Sequence, residues 1–522
     1  MPTPIPANSA PLTALDAAAA TRGRLREGPG GRAPVVARGI TSDSRCVVPG
    51  SAFVALRGER HDGHAYLDAV LAAGAVLVVV QEGRVQALPP GADLVEVDDT
   101  LVAWGDLGRA HVARWRAADP GGRVVAITGS AGKTTTKELC AALLSTVGPC
   151  HATVGNLNNR VGVPATAFGL GPEHRYAAFE IGMSVRGEIA ELARILGPDV
   201  GVVTNVGVAH AEGVGGSRAD VAREKGALFE ALPAGGVAVA CFDDAAAMDQ
   251  LRRTRARRVV TFGVGAGADY RLEDRVPAGA HGARLRIALP RGRRLDVVFP
   301  MVGEAAAVDL VGAIAAAEAT AGELPPDAVH RAVAQAPPVP GRMQVRELCD
   351  GTTVLDDTYN ANPQSMRAAL RALAEVAAGR RAVVVVGEMR ELGEIAPAEH
   401  EALGGALVES RASVVVSCGG LADLAVAAAE RAGAACARAA DAAEASVLVA
   451  KLVRPRDVVL VKASRGVGAE RVVDALSQQR GVRNARTLER SESSGDTPNA
   501  RTLERSESSG DTPDSAEPDA AR

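Results

Sequence analysis

Lysine is almost missing from this chain of 522 residues: only five lysines stand among 58 basic side chains, at positions 133, 137, 225, 451 and 462. Where a generic positive charge serves, the sequence uses arginine. A lysine therefore marks a position where arginine's wide, permanently charged fork would not do. Long apolar runs are missing too; none is longer than Ala75 to Val80, which is far short of the ~20 residues a bilayer span needs. No basic segment precedes a leucine-rich core near the start, so no signal peptide is expected. The seven cysteines form no Cys-x-x-Cys pair, which points to a reduced, cytoplasmic setting with cysteines used as small core residues. No basic stripe or basic amphipathic helix is present, so neither nucleic acid nor membrane insertion is expected.

The composition, 47% apolar and 23% charged, is that of a soluble globular protein with room for several domains. The net charge of −4 sits in the tail, where a segment beginning at Asn484 repeats identically from Asn499. With leucine as its only large apolar residue, this tail is too polar to offset the entropy of ordering and is expected to be disordered. The reading divides the chain into residues 1–117, 118–338, 339–480 and the tail 481–522. For the first 33 residues, partial disorder and an amphipathic helix both stay open. Short apolar strands alternate with helical stretches through the rest, which predicts an α/β fold with mainly parallel sheets. The Pro337–Gly341 stretch marks a stiff linker.

The most informative stretch is Gly129-Ser130-Ala131-Gly132-Lys133-Thr134. An apolar strand precedes it and a helix beginning near Thr135 follows, which makes a phosphate cradle of backbone N–H groups at a helix N-terminus. Lys133 would reach the outer phosphates and the Thr134 hydroxyl would serve Mg²⁺. The motif is shortened, because Ile127 stands where the longer pattern has its first glycine. Glu180 closes a neighbouring strand and His210 follows another. Parallel strands place such ends at one edge, where a carboxylate and an imidazole can hold Mg²⁺ beside a triphosphate. Lys225 falls on a helix opened by Ser217-x-x-Asp220.

These residues resemble the Mur ligase superfamily, ATP-dependent amide-forming ligases of peptidoglycan precursor synthesis. The resemblance runs from about Gly39 to Leu476. It includes Asp43-Ser44-Arg45, Asp62-Gly63-His64, Gly155-Asn156-Leu157-Asn158-Asn159, Glu180-Ile181-Gly182-Met183 and Ala209-His210. Asp356-Asp357-Thr358-Tyr359-Asn360-Ala361-Asn362-Pro363 and Gly387-Glu388-Met389, with His400 downstream, look like the strings of the member that adds a dipeptide. The implied fold is a three-domain Mur ligase architecture, with a central mononucleotide-binding parallel sheet and a Rossmann-like C-terminal domain. The implied reaction joins D-alanyl-D-alanine to UDP-N-acetylmuramoyl-tripeptide through an acyl phosphate, with ATP and Mg²⁺, in a monomer.

Residue by residue, the resemblance implies catalysis by Lys133, Lys225, His210 and Glu180. ATP would lie on Gly129, Ser130, Ala131, Gly132, Lys133, Thr134, Thr135 and Arg342. Mg²⁺ would be held by Thr134, Glu180, His210 and Lys225, the last as a CO₂-derived carbamate that arginine cannot form. Ser44, Arg45, Asp62, Gly63, His64, Asn158, Asn159 and Arg186 would bind the UDP-sugar and tripeptide. The acceptor would meet Asp357, Tyr359, Asn360, Asn362 and Pro363. One departure stands out: Ala305 and Ala306 occupy positions where relatives carry a His-Asn pair at the nucleotide. A relative with another acceptor, or an inactive nucleotide-binding scaffold, are the alternatives.

Overall fold

The computed structural model describes residues 3–26, 35–58, 61–86, 91–208, 212–336 and 338–483. His210 and the duplicated tail lie outside the described residues, and with them the roles expected of both. The strand and helix segments anticipated from apolar runs are present at nearly the expected places.

A five-stranded sheet forms first, in the order Arg24–Arg26, Asp93–Val97, Leu77–Gln81, Ala52–Val54 and Ile40–Thr41, parallel except for its first pair. Of the two readings left open for the start of the chain, helix holds for Ala14–Thr21. Thr13 caps it and Ala14 and Ala17 are buried. The long helix Thr100–Ala118 carries Trp104 into the interior, where its ring meets Phe168 edge-on at 4.9 Å. In a chain that is only 2% aromatic this contact does a second job. The Trp104 indole N–H donates to the carbonyl of Val161, the residue before the helix Gly162–Ala167, at 2.9 Å.

The central sheet has nine strands, and Arg123–Thr128 lies inside it between Val200–Val203 and Tyr176–Glu180. From Cys150–Ala152 across to Tyr270–Pro277 the strands are parallel, as their near-continuous apolar sequences require of strands covered on both faces. The last part is not. Tyr270–Pro277, Ala283–Ala288 and Arg294–Phe299 form an antiparallel meander, whose strands alternate exposed and buried residues. That period-two pattern belongs to a sheet with one wet face.

The third sheet runs Gln344–Glu347, Thr353–Asp357, Val458–Lys462, Ala382–Val386, Val414–Ser417 and Cys436–Arg438, parallel after its first strand. Its strands are valine-rich and buried, with helices packed on both faces. Among the described residues, no helix is long and apolar enough to cross a membrane.

Candidate active site

The chain turns from Thr128 into the helix Lys133–Ser145 through two glycines whose backbone no other residue could replace. Gly132, the N-cap, has φ +79°, and a Cβ there would lie 2.2 Å from the Asp309 carboxylate. A Cβ at Gly129 would lie 1.8 Å from the Thr204 hydroxyl. Hydrogen bonds from the next strand's end hold the loop open. Asn205 accepts from the Ala131 N–H at 2.9 Å, Thr204 donates to the Ala131 carbonyl at 2.6 Å, and the Ser130 hydroxyl accepts from the Gly207 N–H at 2.8 Å.

Two lysines meet beneath this loop. The Lys133 ammonium donates to the Gly129 carbonyl at 2.8 Å, and Lys225 donates to the same oxygen at 3.1 Å. Lys225 is 1% exposed, in the helix Arg218–Glu230. Its neighbour Glu224 is turned away to accept from Gly187 N and Ile189 N. Burial, reinforced by the charge on Lys133, drives the Lys225 pKa well below that of a free lysine. Burial also lowers the Lys133 pKa, with Glu180 opposing. The helix cap at Ser217 accepts from Asp220 N at 3.1 Å as anticipated, but the Asp220 carboxylate accepts from the Ser217 hydroxyl instead of from the Ser217 backbone N–H.

Register places Glu180 beside Ile127, at the end of its strand and 1% exposed. Its carboxylate accepts from the Thr134 hydroxyl at 2.8 Å and from the Asn158 amide at 2.7 Å. Asn158 thus joins the Gly155–Asn159 loop to the phosphate loop through one carboxylate. Among the described residues, no cluster of three or more His, Cys, Asp or Glu forms. The oxygens of Thr134 and Glu180 are nevertheless adjacent, and the amine of Lys225 lies under the same loop. The oxygens of Thr134 and Glu180 are of the kind a hard cation takes.

Arg342 lies half-buried at the far side, 4.2 Å from the centre of the Tyr359 ring. Lys462 is 2% exposed and donates to Asp357 at 2.6 Å and to the Asn360 carbonyl at 2.8 Å. The Asn362 amide reaches the Ser130 carbonyl at 3.3 Å while its oxygen caps the helix Pro363–Ala377. Pro363 opens that helix. A cavity of about 360 Å³ separates these groups from the phosphate loop. It is lined by the carboxyl ends of strands from the nine-stranded and the six-stranded sheets. The N-cap residues of three helices also border it: Gly132, Gly303 and Asn362. Three helix N-termini facing one space favour a polyanion there.

The N-terminal candidates occupy the ends of adjacent parallel strands, but much of their hydrogen-bonding capacity is already used. Asp43 caps Ser44–Cys46 and holds the Arg45 guanidinium at 2.6 Å. Asp62 accepts from His64 Nδ1 at 2.6 Å, and His64 Nε2 accepts from Gln81 N at 2.9 Å; Gly63 lies between them in a short turn. Asn159 accepts from Gly162 N at 2.9 Å. The Arg186 side chain is 68% exposed and donates to the Val214 carbonyl. His400, named within a C-terminal string, is buried between Met389 N and the Ala396 carbonyl.

Asp309 lies one turn beyond Ala305 in the helix Glu304–Ala321, outside the residues that the motifs mark. It lines the cavity against Gly132, and burial pushes its pKa up to about 7, with Arg342 opposing. A carboxyl whose folded pKa exceeds its unfolded value contributes stability that is fully present below the unfolded value, about 4, and is lost as pH rises from there to the folded value of about 7. Asp309→Asn is therefore expected to leave Tm nearly unchanged at about pH 4. At pH 8 it should raise stability by about 1–2 kcal/mol, a discounted share of the full shift. Thermal unfolding at the two pH values checks this, and equal effects at both would refute it.

Three family descriptions match this chain. They are the Mur ligase family catalytic domain over residues 36–103, the Mur ligase middle domain over 127–317, and the Mur ligase glutamate ligase domain over 341–465. The UDP-N-acetylmuramoyl-tripeptide–D-alanyl-D-alanine ligase of Escherichia coli is 36% identical, over 84% of this chain and 93% of its own length. The enzyme of the same name from Mycobacterium bovis is 37% identical, over 84% and 91%. A MurF crystal structure from Acinetobacter baumannii superposes with a TM-score of 0.79 at 29% identity, covering 90% of this chain and 99% of that one. MurF from Thermotoga maritima in complex with ADP gives 0.73 at 27%, covering 84% and 97%. By sequence, by the order of its three large sheets and by the phosphate loop at the inner strand of the middle one, the chain belongs to the Mur ligase family.

Proposed function

We infer that this chain is an ATP-dependent ligase that joins D-alanyl-D-alanine to UDP-N-acetylmuramoyl-tripeptide in peptidoglycan precursor synthesis. The observation that carries the reading is the cavity itself. A phosphate cradle faces Asp357, Asn360 and Lys462 across a single space, so an activated carboxylate and an incoming amine have one place to meet. The tripeptide's terminal carboxylate oxygen bonds to the γ-phosphorus of ATP and ADP leaves. The dipeptide amine then bonds to the acyl carbon, phosphate leaves, and the amine gives up a proton.

Each step gathers negative charge on the transferred phosphoryl group, so fixed cations and alignment do most of the work. Lys133 reaches the outer phosphates from its helix N-terminus. Arg342 approaches from the C-terminal side. Thr134 and Glu180, with His210 and Lys225 as its carbamate, would hold Mg²⁺, which supplies further charge neutralisation. The depressed pKa of Lys225 supports carbamylation, because a neutral amine is the form that adds CO₂. Asn158 keeps Glu180 turned toward Thr134, so the tripeptide loop and the phosphate site share one carboxylate. Closure between Asn362 and Ser130 shields the acyl phosphate from water.

Phosphate release measured with UDP-N-acetylmuramoyl-tripeptide and a panel of acceptors tests the reading. Turnover with D-alanyl-D-alanine that far exceeds single amino acids is expected. Preference for a single amino acid would reassign the acceptor, and release independent of both substrates would reject ligation.

A further inference from the structure

The cavity has two ends. Near Asp357 and Lys462 it is polar; its lining at Val264, Met301, Ala305, Ala306 and Ala368 is apolar, with the Glu304 carboxylate beside it at the helix start. With the phosphates on the Gly129–Thr135 loop, the apolar end is the one suited to the flat face of a base. The alanines offer the base no hydrogen bond. The nearby Asp243 carboxylate is committed to Val264 N and Gly265 N, at 2.6 and 2.9 Å.

One cavity-lining cation approaches this end from the opposite side. Arg371 lies in the helix Pro363–Ala377, on the face formed by Gln364, Ser365, Ala368 and Ala372. The helix is seated along its length on the central part of the chain. Asn362 meets Ser130, Ala372 lies 3.0 Å from where a Gly303 Cβ would be, and Glu375 pairs with Arg275. Arg371 therefore stands beside Gly303 to Ala306, at the mouth of the base end. It is exposed and makes no hydrogen bond or ion pair with any described residue.

We propose that Arg371 is the residue that reads the nucleotide base, and that the site accepts guanosine as well as adenosine triphosphates. The proposal rests on the ATP-dependent ligase reading and names which bases the same site takes. A guanidinium only donates. Guanine presents two acceptors on one edge, O6 and N7, whereas adenine presents N7 beside an amino group that also donates. The two-pronged match belongs to guanine, and glutamine makes the corresponding match to adenine. A site whose central wall is alanine and whose facing group is arginine thus lacks the means to reject guanine.

Equilibrium binding of ADP and of GDP to the full chain, by calorimetry, tests this apart from catalysis. The native chain should bind the two within about tenfold of each other. Arg371→Ala should weaken GDP by about tenfold or more while changing ADP by less than threefold, and Arg371→Gln should shift the preference toward ADP. Thermal unfolding of both variants should match the native chain, since Arg371 has no partner to lose. An unchanged GDP-to-ADP ratio in both variants overturns the proposal. So does an equal loss for both nucleotides, which would place Arg371 on the phosphates. A native chain that binds neither nucleotide would sink the ligase reading itself.

Discussion

Lys225→Arg is expected to be as inactive as Lys225→Ala, although it keeps the charge and the reach. If Lys225 acted as a cation, arginine would preserve much of the rate. The lysine is instead buried on the Gly129 carbonyl beside Lys133, where a second full charge is disfavoured and the neutral amine is available to CO₂. Arginine would restore the disfavoured charge and remove the carboxylate. Loss of one ligand and of the geometry it sets costs on the order of 3–4 kcal/mol of transition-state stabilisation, a few hundredfold in kcat. Short carboxylic acids added to Lys225→Ala should return part of the rate by occupying the space left by the side chain. They should not rescue the bulkier arginine variant. Robust turnover by Lys225→Arg would end the carbamate assignment and leave the ligase assignment standing.

Glu180→Gln should be nearly as severe, and for a different reason. The amide preserves the shape and one acceptor, so the contact with Thr134 or with Asn158 can persist, but the negative charge is gone. Lys133 then loses the carboxylate that opposes its desolvation, and a Mg²⁺ held by Thr134 and Glu180 would lose its charged ligand. A fall in kcat of about a hundred- to a thousandfold is expected. The Mg²⁺ concentration for half-maximal rate should rise, while the Tm changes little. A variant with the native Mg²⁺ requirement would show that Glu180 only props the loop.

The phosphate loop was readable because its demands are local. A strand, two glycines and a helix start must be consecutive, and the backbone at Gly132 permits no side chain. The same holds for the valine runs of the third sheet. The antiparallel meander was less visible. Its clue, the alternation in Arg284-Leu285-Arg286-Ile287, is short and sits beside many longer parallel strands.

Motif membership identified positions but not what each side chain serves. Asn159 spends its oxygen on a helix start, and His64 has both ring nitrogens engaged, one by Asp62 in its own turn and one by the end of the strand Leu77–Gln81. Arg371 was beyond reach from sequence, because only the packing of its helix against Gly303 gives an ordinary exposed arginine an address. Lysine scarcity was informative but did not distinguish two uses. Lys137 is as buried as Lys225, yet it donates to the Thr153 carbonyl at 2.6 Å and pairs with Glu138.

The same scarcity fixes how the protein meets amine-directed reagents. Lys137, Lys225 and Lys462 are enclosed, and Lys133 lines the cavity. That leaves Lys451, in the last turn of the helix Ala442–Leu452, as the exposed lysine side chain. Among the lysines, acylating reagents should therefore mark one surface position and, more slowly, the phosphate loop. Coupling through Lys451 would attach every molecule to a support in one orientation. The yield of modified Lys133, read from a single peptide by mass, would report how much of the protein holds nucleotide.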